Sequence, residues 1–106
     1  MLNSFSGWRI LSAALLCAGL LLSTTAHSAA KTLLVLGDSL SAEYGLPRGS
    51  GWVSLLDKQV RTEKLNAQVI NASISGETTA GGKARLAGLL EQHKPAVVLL
   101  ELGGND

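Results

Sequence analysis

The sequence predicts an α/β fold in which a parallel sheet is flanked by helices, and three observations support this. Residues 32–36, 69–72 and 96–102 are short apolar runs that read as buried strands. Between them, residues 52–64 and 83–93 carry apolar side chains at helical spacing. The resulting β-α-β-α-β alternation calls for crossover connections, and right-handed crossovers make the strands parallel with helices on the sheet's faces. No internal repeat or low-complexity tract interrupts the pattern.

The first thirty residues stand apart from that pattern. Arg9 supplies a positive charge, residues 10–22 are uncharged and apolar, and small residues follow through Ala30. The run suits the apolar region of a secretory signal and falls short of the ~20 residues that span a bilayer as a helix. Ala26-His27-Ser28 and Ser28-Ala29-Ala30 both fit a small-x-small cleavage site. The expectation is therefore a signal peptide over residues 1–30 and a periplasmic or secreted bacterial protein, with an uncleaved amino-terminal anchor as the alternative. Leu16, before Cys17, is too large for the usual lipobox.

Cleavage removes Arg9 and the single cysteine, Cys17. Of the nine basic and eight acidic side chains, only Arg9 lies in this segment, so the remainder has a formal charge of zero. Such a domain has no field to favour nucleic acid. It can form no disulfide and no cysteine-type zinc site, and no stable membrane insertion is expected after cleavage. Roughly 76 residues make a small core for an α/β fold.

Within residues 31–106 the elements follow in order. The first strand, 32–36, is a short apolar run with β-branched residues. Residues 41–51 form a polar connection broken by Gly45, Pro47, Gly49 and Gly51. The helix at 52–64 repeats Trp52, Val53, Leu56 and Val60 at intervals of three and four. Strand 69–72 leads into a small, polar loop at 73–82. The helix at 83–93 gathers Leu86, Ala87 and Leu90 on one side, and Pro95 stops it by excluding its predecessor from helical geometry. The third strand, 96–102, is the most apolar.

Each strand delivers a small or polar cluster at its carboxyl end: Gly37-Asp38-Ser39, Ser73-Ile74-Ser75-Gly76 and Gly103-Gly104-Asn105-Asp106. In a parallel sheet these ends share one edge, the edge at which open α/β sheets bind ligands. The pattern therefore brings together a serine hydroxyl, a glycine amide and an asparagine amide, a nucleophile with oxyanion-hole donors. Ser39 also suits a turn or a helix cap, and on the strand-turn signal alone both readings stand. The α/β-hydrolase elbow Gly-x-Ser-x-Gly is not matched, because Ser41 occupies the last glycine position.

The segment LGDSLSAEYG resembles the first block of the SGNH (GDSL) hydrolase superfamily. NASISGETT resembles its second block and ELGGND its third, Gly-x-Asn-Asp, in the family's order and each after a predicted strand. The wording is most like the periplasmic acyl-CoA thioesterase I/lysophospholipase/arylesterase branch, from about Lys31 to Asp106. The resemblance implies a flavodoxin-like three-layer α/β/α fold and a serine ester or thioester hydrolase. It implies Ser39 as nucleophile and amide donor, with the Gly76 amide and the Asn105 side chain completing the oxyanion hole. Gly37, Asp38, Gly103 and Asp106 support these residues. The substrate is then a small-molecule acyl ester or thioester, and no metal or organic cofactor is required. A carbohydrate O-deacetylase of the same superfamily and a non-catalytic binding module are the alternatives.

The neighbouring residues have plainer roles. Asp38 is expected to bind the amides of its own turn rather than act as the triad acid, and Asp106 to stabilise its loop. Glu101 is expected in a structural salt bridge, with a place lining the site as the alternative. Trp52 is expected to pack on the sheet, and Tyr44 borders the site or is simply exposed. Gly82-Lys83-Ala84 lacks the Gly-Lys-Ser/Thr ending of a phosphate loop. The family takes its acid and histidine from a later Asp-x-x-His block, which is not among these residues. His27 falls in the signal region, and His93 is expected at the opposite edge of the sheet. The chain thus reads as the amino-terminal part of such a domain, truncated after the third strand, marginally stable and nearly inactive by itself.

Overall fold

The computed structural model describes residues 28–106. Nearly all of the expected signal peptide, residues 1–30, lies outside the described residues. Among the described residues, no helix is long and apolar enough to cross a membrane.

Five elements follow one another: β1 (Lys31–Gly37), α1 (Trp52–Thr62), β2 (Ala67–Asn71), α2 (Thr79–His93) and β3 (Val97–Glu101). The strands form one sheet in the order β2-β1-β3, and both pairings are parallel. The first strand is therefore central. Its register sets Leu34 between Ile70 and Val98, and Val35 between Asn71 and Leu99.

Alternation along the strands sorts these residues onto two faces. On one face Leu36 and Leu100 join Gly82, Leu86 and Leu102 around a cavity beneath α2. On the other, Val69 and Asn71 line a cleft with Val53 and Asp57 of α1. The helices thus occupy opposite faces, as crossovers of one hand must when they run in opposite directions along the sheet, from β1 out to β2 and from β2 back past β1 to β3. This is the expected three-layer α/β/α arrangement. Leu34, Val35, Leu36, Val53 and Val60 are its buried apolar core. A central parallel strand covered on both faces has no polar alternation, hence the unbroken Leu33-Leu34-Val35-Leu36.

Besides shifts of one or two residues at β1 and at the end of α1, the boundaries differ from expectation in the other three elements. Helix α2 begins at Thr79, four positions before the predicted Lys83, because Thr78 caps it: its Oγ1 accepts from the Gly81 amide at 3.0 Å. The Gly81-Gly82 pair, which reads as a loop, lies inside the helix. A Cβ on Gly82 would come within 2.5 Å of Leu102 Cδ1, so glycine permits the close approach of helix and chain. Strand β2 starts at Ala67 rather than Val69, since Ala67 and Gln68 pair with Lys31 and Thr32. It stops at Asn71, whose side chain accepts from the Ser73 amide and donates to the Ser41 carbonyl. Strand β3 is one residue shorter than predicted at each end. Helix α2 ends as expected before Pro95, with Lys94 left-handed (φ 43°) and its N–H on the Leu90 carbonyl.

Candidate active site

Strand β1 ends at Gly37, and the chain then folds into a tight turn. The amides of Ser41 and Ala42 donate to the Asp38 carbonyl at 3.1 and 3.0 Å. The Asp38 carboxylate accepts from the Leu40 amide at 3.0 Å, the local role expected of it. Ser39 occupies the second position of this turn at the carboxyl end of the central strand, partly exposed. Among the described residues, its hydroxyl and its amide make no hydrogen bond.

The loop after β2 is fastened to the same strand end, with the Ala72 amide on the Val35 carbonyl and the Ile74 amide on the Gly37 carbonyl at 3.0 Å. Ile74 to Glu77 make a turn closed by Glu77 N–H on the Ile74 carbonyl. Gly76 takes a positive φ of 85° at its third position, a conformation that favours glycine there. Arg85 of α2 holds this loop from below, pairing with Glu77 at 3.0 Å and donating to the Ala72 carbonyl. The Gly76 amide makes no hydrogen bond among the described residues.

The loop after β3 closes the group. The Asp38 amide donates to the Glu101 carbonyl at 3.2 Å, and a Cβ on Gly104 would lie 3.5 Å from the Asp38 carboxylate. Gly103 has φ 120°, which turns the chain back toward α2. Asn105 donates from Nδ2 to the Glu77 carbonyl at 2.9 Å, so one amide hydrogen anchors the side chain and the second remains. Asp106 accepts from the amide and hydroxyl of Thr79, each at 2.8 Å, which ties the loop to the start of α2. This is the loop-stabilising role expected of it, and a carboxylate suits a helix N-terminus.

Ser39, Gly76 and Asn105 therefore come from three loops that are hydrogen-bonded to one another along one sheet edge. His93 does not join them. It closes α2, before β3 begins, at the other edge. Among the described residues, no group of three His, Cys, Asp or Glu side chains could hold a metal ion.

Glu101 departs from expectation. It makes no ion pair among the described residues. Instead its Oε1 accepts from the Ser41 hydroxyl at 2.7 Å and from the Asp38 amide at 3.3 Å. Ser41 in turn accepts from Trp52 Nε1 at 3.1 Å, so Trp52 bonds the turn as well as opening α1. Gly37 is glycine because this pair fills its side-chain space: a Cβ there would come within 2.7 Å of Ser41 Oγ and 2.8 Å of Glu101 Oε1.

Sequence reasoning also missed Glu43. This residue has a left-handed φ of 62° and serves as a distant cap for α1, whose N-cap Gly51 has no side chain. Its carboxylate accepts from the amides of Gly49 and Gly51 and from the Ser54 hydroxyl. These bonds, the Ser54 hydroxyl foremost, lower its pKa below the ordinary carboxylate value. Tyr44, one residue on, is exposed.

The expected resemblance is borne out by comparison with known proteins. Residues 35–106 match the model of the GDSL-like lipase/acylhydrolase family. Esterase TesA of Pseudomonas aeruginosa is 57% identical over 82 residues, which is 77% of this chain and 41% of that protein. Thioesterase 1/protease 1/lysophospholipase L1 of Escherichia coli K12 is 51% identical over 87 residues, covering 82% of this chain and 40% of the relative. In structure, the esterase EstA from Pseudoalteromonas sp., inhibited by monoethylphosphonate, aligns with a TM-score of 0.67 at 54% identity over 72% of this chain and 42% of that one. The chain thus spans about two fifths of the length of these relatives. By its sequence blocks, its fold and these matches, the chain belongs to the GDSL-like lipase/acylhydrolase family.

Proposed function

We propose that this chain carries the nucleophile and oxyanion hole of a serine hydrolase acting on small acyl esters or thioesters, through an acyl-enzyme on Ser39. The observation that carries the reading is the turn itself: a serine with an unengaged hydroxyl and amide, on a turn hydrogen-bonded to two further loops that keep unengaged N–H groups, at the carboxyl edge of a parallel sheet. The relatives named as esterases and thioesterases support it.

The Ser39 hydroxyl oxygen attacks the acyl carbon as a base removes its proton. Negative charge then develops on the former carbonyl oxygen. The amides of Ser39 and Gly76 and the second hydrogen of Asn105 Nδ2 stabilise it. The alcohol or thiol departs with the proton, and water releases the acid from Ser39 by the same steps. The base lies beyond the described residues in this reading, since His93 is at the far edge. The family resemblance assigns that role to a histidine in a later Asp-x-x-His block.

The test is hydrolysis of p-nitrophenyl esters by the full-length protein carrying this sequence, beside labelling with a reactive organophosphonate. Ser39→Ala is expected to lower kcat by about a thousandfold or more and to abolish the label. A peptide other than the one containing Ser39 carrying the label, with Ser39→Ala active, overturns the reading.

A further inference from the structure

We propose that Glu101 is a positioning residue for the nucleophile turn, acting through Ser41; this rests on the reading of Ser39 as nucleophile. Ser39 lies between Asp38 and Ser41, and one carboxylate oxygen holds both neighbours. Glu101 Oε1 accepts from the Asp38 amide at 3.3 Å and from the Ser41 hydroxyl at 2.7 Å. The Asp38 amide is shared with the Glu101 carbonyl at 3.2 Å. The serine hydroxyl has one proton to give, and it goes to Glu101; its lone pair then receives the indole N–H of Trp52 at 3.1 Å. The turn is thereby fixed to the end of β3 and to the first residue of α1.

Three further observations favour a positioning role. Ser41 is 1% exposed, so its hydroxyl is not there to meet solvent. Gly37 leaves its own side-chain space to the Ser41–Glu101 pair, so the pair lies directly beneath the strand end that carries Ser39. Glu101 has no cationic partner among the described residues, so hydrogen bonds alone satisfy a partly buried carboxylate. What the turn requires of Glu101 is one acceptor oxygen in a fixed place, and its charge is secondary. Displacing a reacting group by about 1 Å can cost on the order of a hundredfold in rate.

The experiment measures kcat and KM for a p-nitrophenyl ester with the full-length protein, with thermal unfolding followed in parallel. Glu101→Gln keeps the acceptor oxygen and is expected to retain most of kcat. Glu101→Ala removes it and is expected to lower kcat about 10- to 100-fold with little change in KM. Ser41→Ala is expected to fall between them, and the Ser41→Ala/Glu101→Ala double variant to be no worse than Glu101→Ala, because both act on one path. Should Glu101→Ala not fold, Glu101→Gln and Ser41→Ala carry the test. A folded Glu101→Ala or Ser41→Ala with unchanged kcat overturns the proposal. So does a Glu101→Gln as damaged as the alanine, which would make charge the working property. Ser39→Ala, run alongside, separates the two readings: its activity fails the nucleophile assignment, whereas its inactivity beside a normal Glu101→Ala fails only the positioning role.

Discussion

Strands β1 and β3 are both short and apolar, with a glycine at or just beyond the carboxyl end, yet they sit very differently. Strand β1 is paired on both sides and covered on both faces, with Leu34 and Val35 at 0% exposure. Strand β3 is paired on one side among the described residues, and its Leu100 is 62% exposed. The two halves of the candidate site inherit this difference. Ser39 lies two residues beyond the most deeply buried strand of the sheet. Gly76 and Asn105 arrive on loops after outer strands, and those loops owe their places to side chains: Arg85 on Glu77, Asn105 on the Glu77 carbonyl, Asp106 on Thr79. One part of the site is held by the core and the other by a polar network.

That contrast can be broken by substitution. Leu34→Ala is expected to cost about 2–5 kcal/mol of unfolding free energy, since it opens a cavity in a fully packed site. Leu100→Ala, from an exposed position, is expected to cost less than about 1 kcal/mol. Denaturant unfolding of the two variants checks both, and similar losses would show that β3 is as well covered as β1.

Two glycines sharpen the comparison further. Gly37→Ala drives a methyl into Ser41 and Glu101, and overpacking of this kind costs about 1–3 kcal/mol. Gly76→Ala meets nothing within 4 Å, so its penalty is only that of a side chain at φ 85°, about 1–2 kcal/mol. The expected signature is that Gly37→Ala also slows ester hydrolysis through the Ser39 turn.

The smallest effect concerns the loop before α1. Because folding lowers the pKa of Glu43, its contribution is complete above the unfolded carboxyl value and is lost as pH falls through the folded one. Hydrogen exchange should show protected amides at Gly49 and Gly51 at neutral pH, deprotected in acid. Glu43→Gln should leave that protection weaker and insensitive to pH across the same window. Unchanged protection in acid would remove Glu43 as the cap.

Much of this was legible in the residues because it is local. A run such as Leu33 to Leu36 can hardly be other than a buried strand, Pro95 must stop a helix, and three strand ends with Gly, Ser and Asn converge once the strands are parallel. The start of α2 was not legible, because Gly82 serves close packing against Leu102 and Gly81 leaves room for the Glu77 side chain, rather than breaking the chain. Glu101 was misread for a related reason. Its partner Ser41 lies 60 positions away, and a carboxylate satisfied by a hydroxyl and an amide leaves no charge pattern to find. Glu43 and Arg85 were missed because they bond backbone groups, which every residue offers, and side chains eleven and eight positions away, off the i,i+4 spacing of a helix.

The middle place of β1 also sets a schedule for the growing chain. Its neighbours are encoded later: Lys31 awaits Ala67, and Gly37 awaits Glu101. At roughly 5–20 residues per second of synthesis, the apolar segment from Leu33 to Leu36 spends several seconds with at least one unpaired edge. During that interval the strand that leads to Ser39 is open to capture by a chaperone or by another nascent chain, and the Ser39 turn gains its bonds to Glu101 only once β3 has joined the sheet.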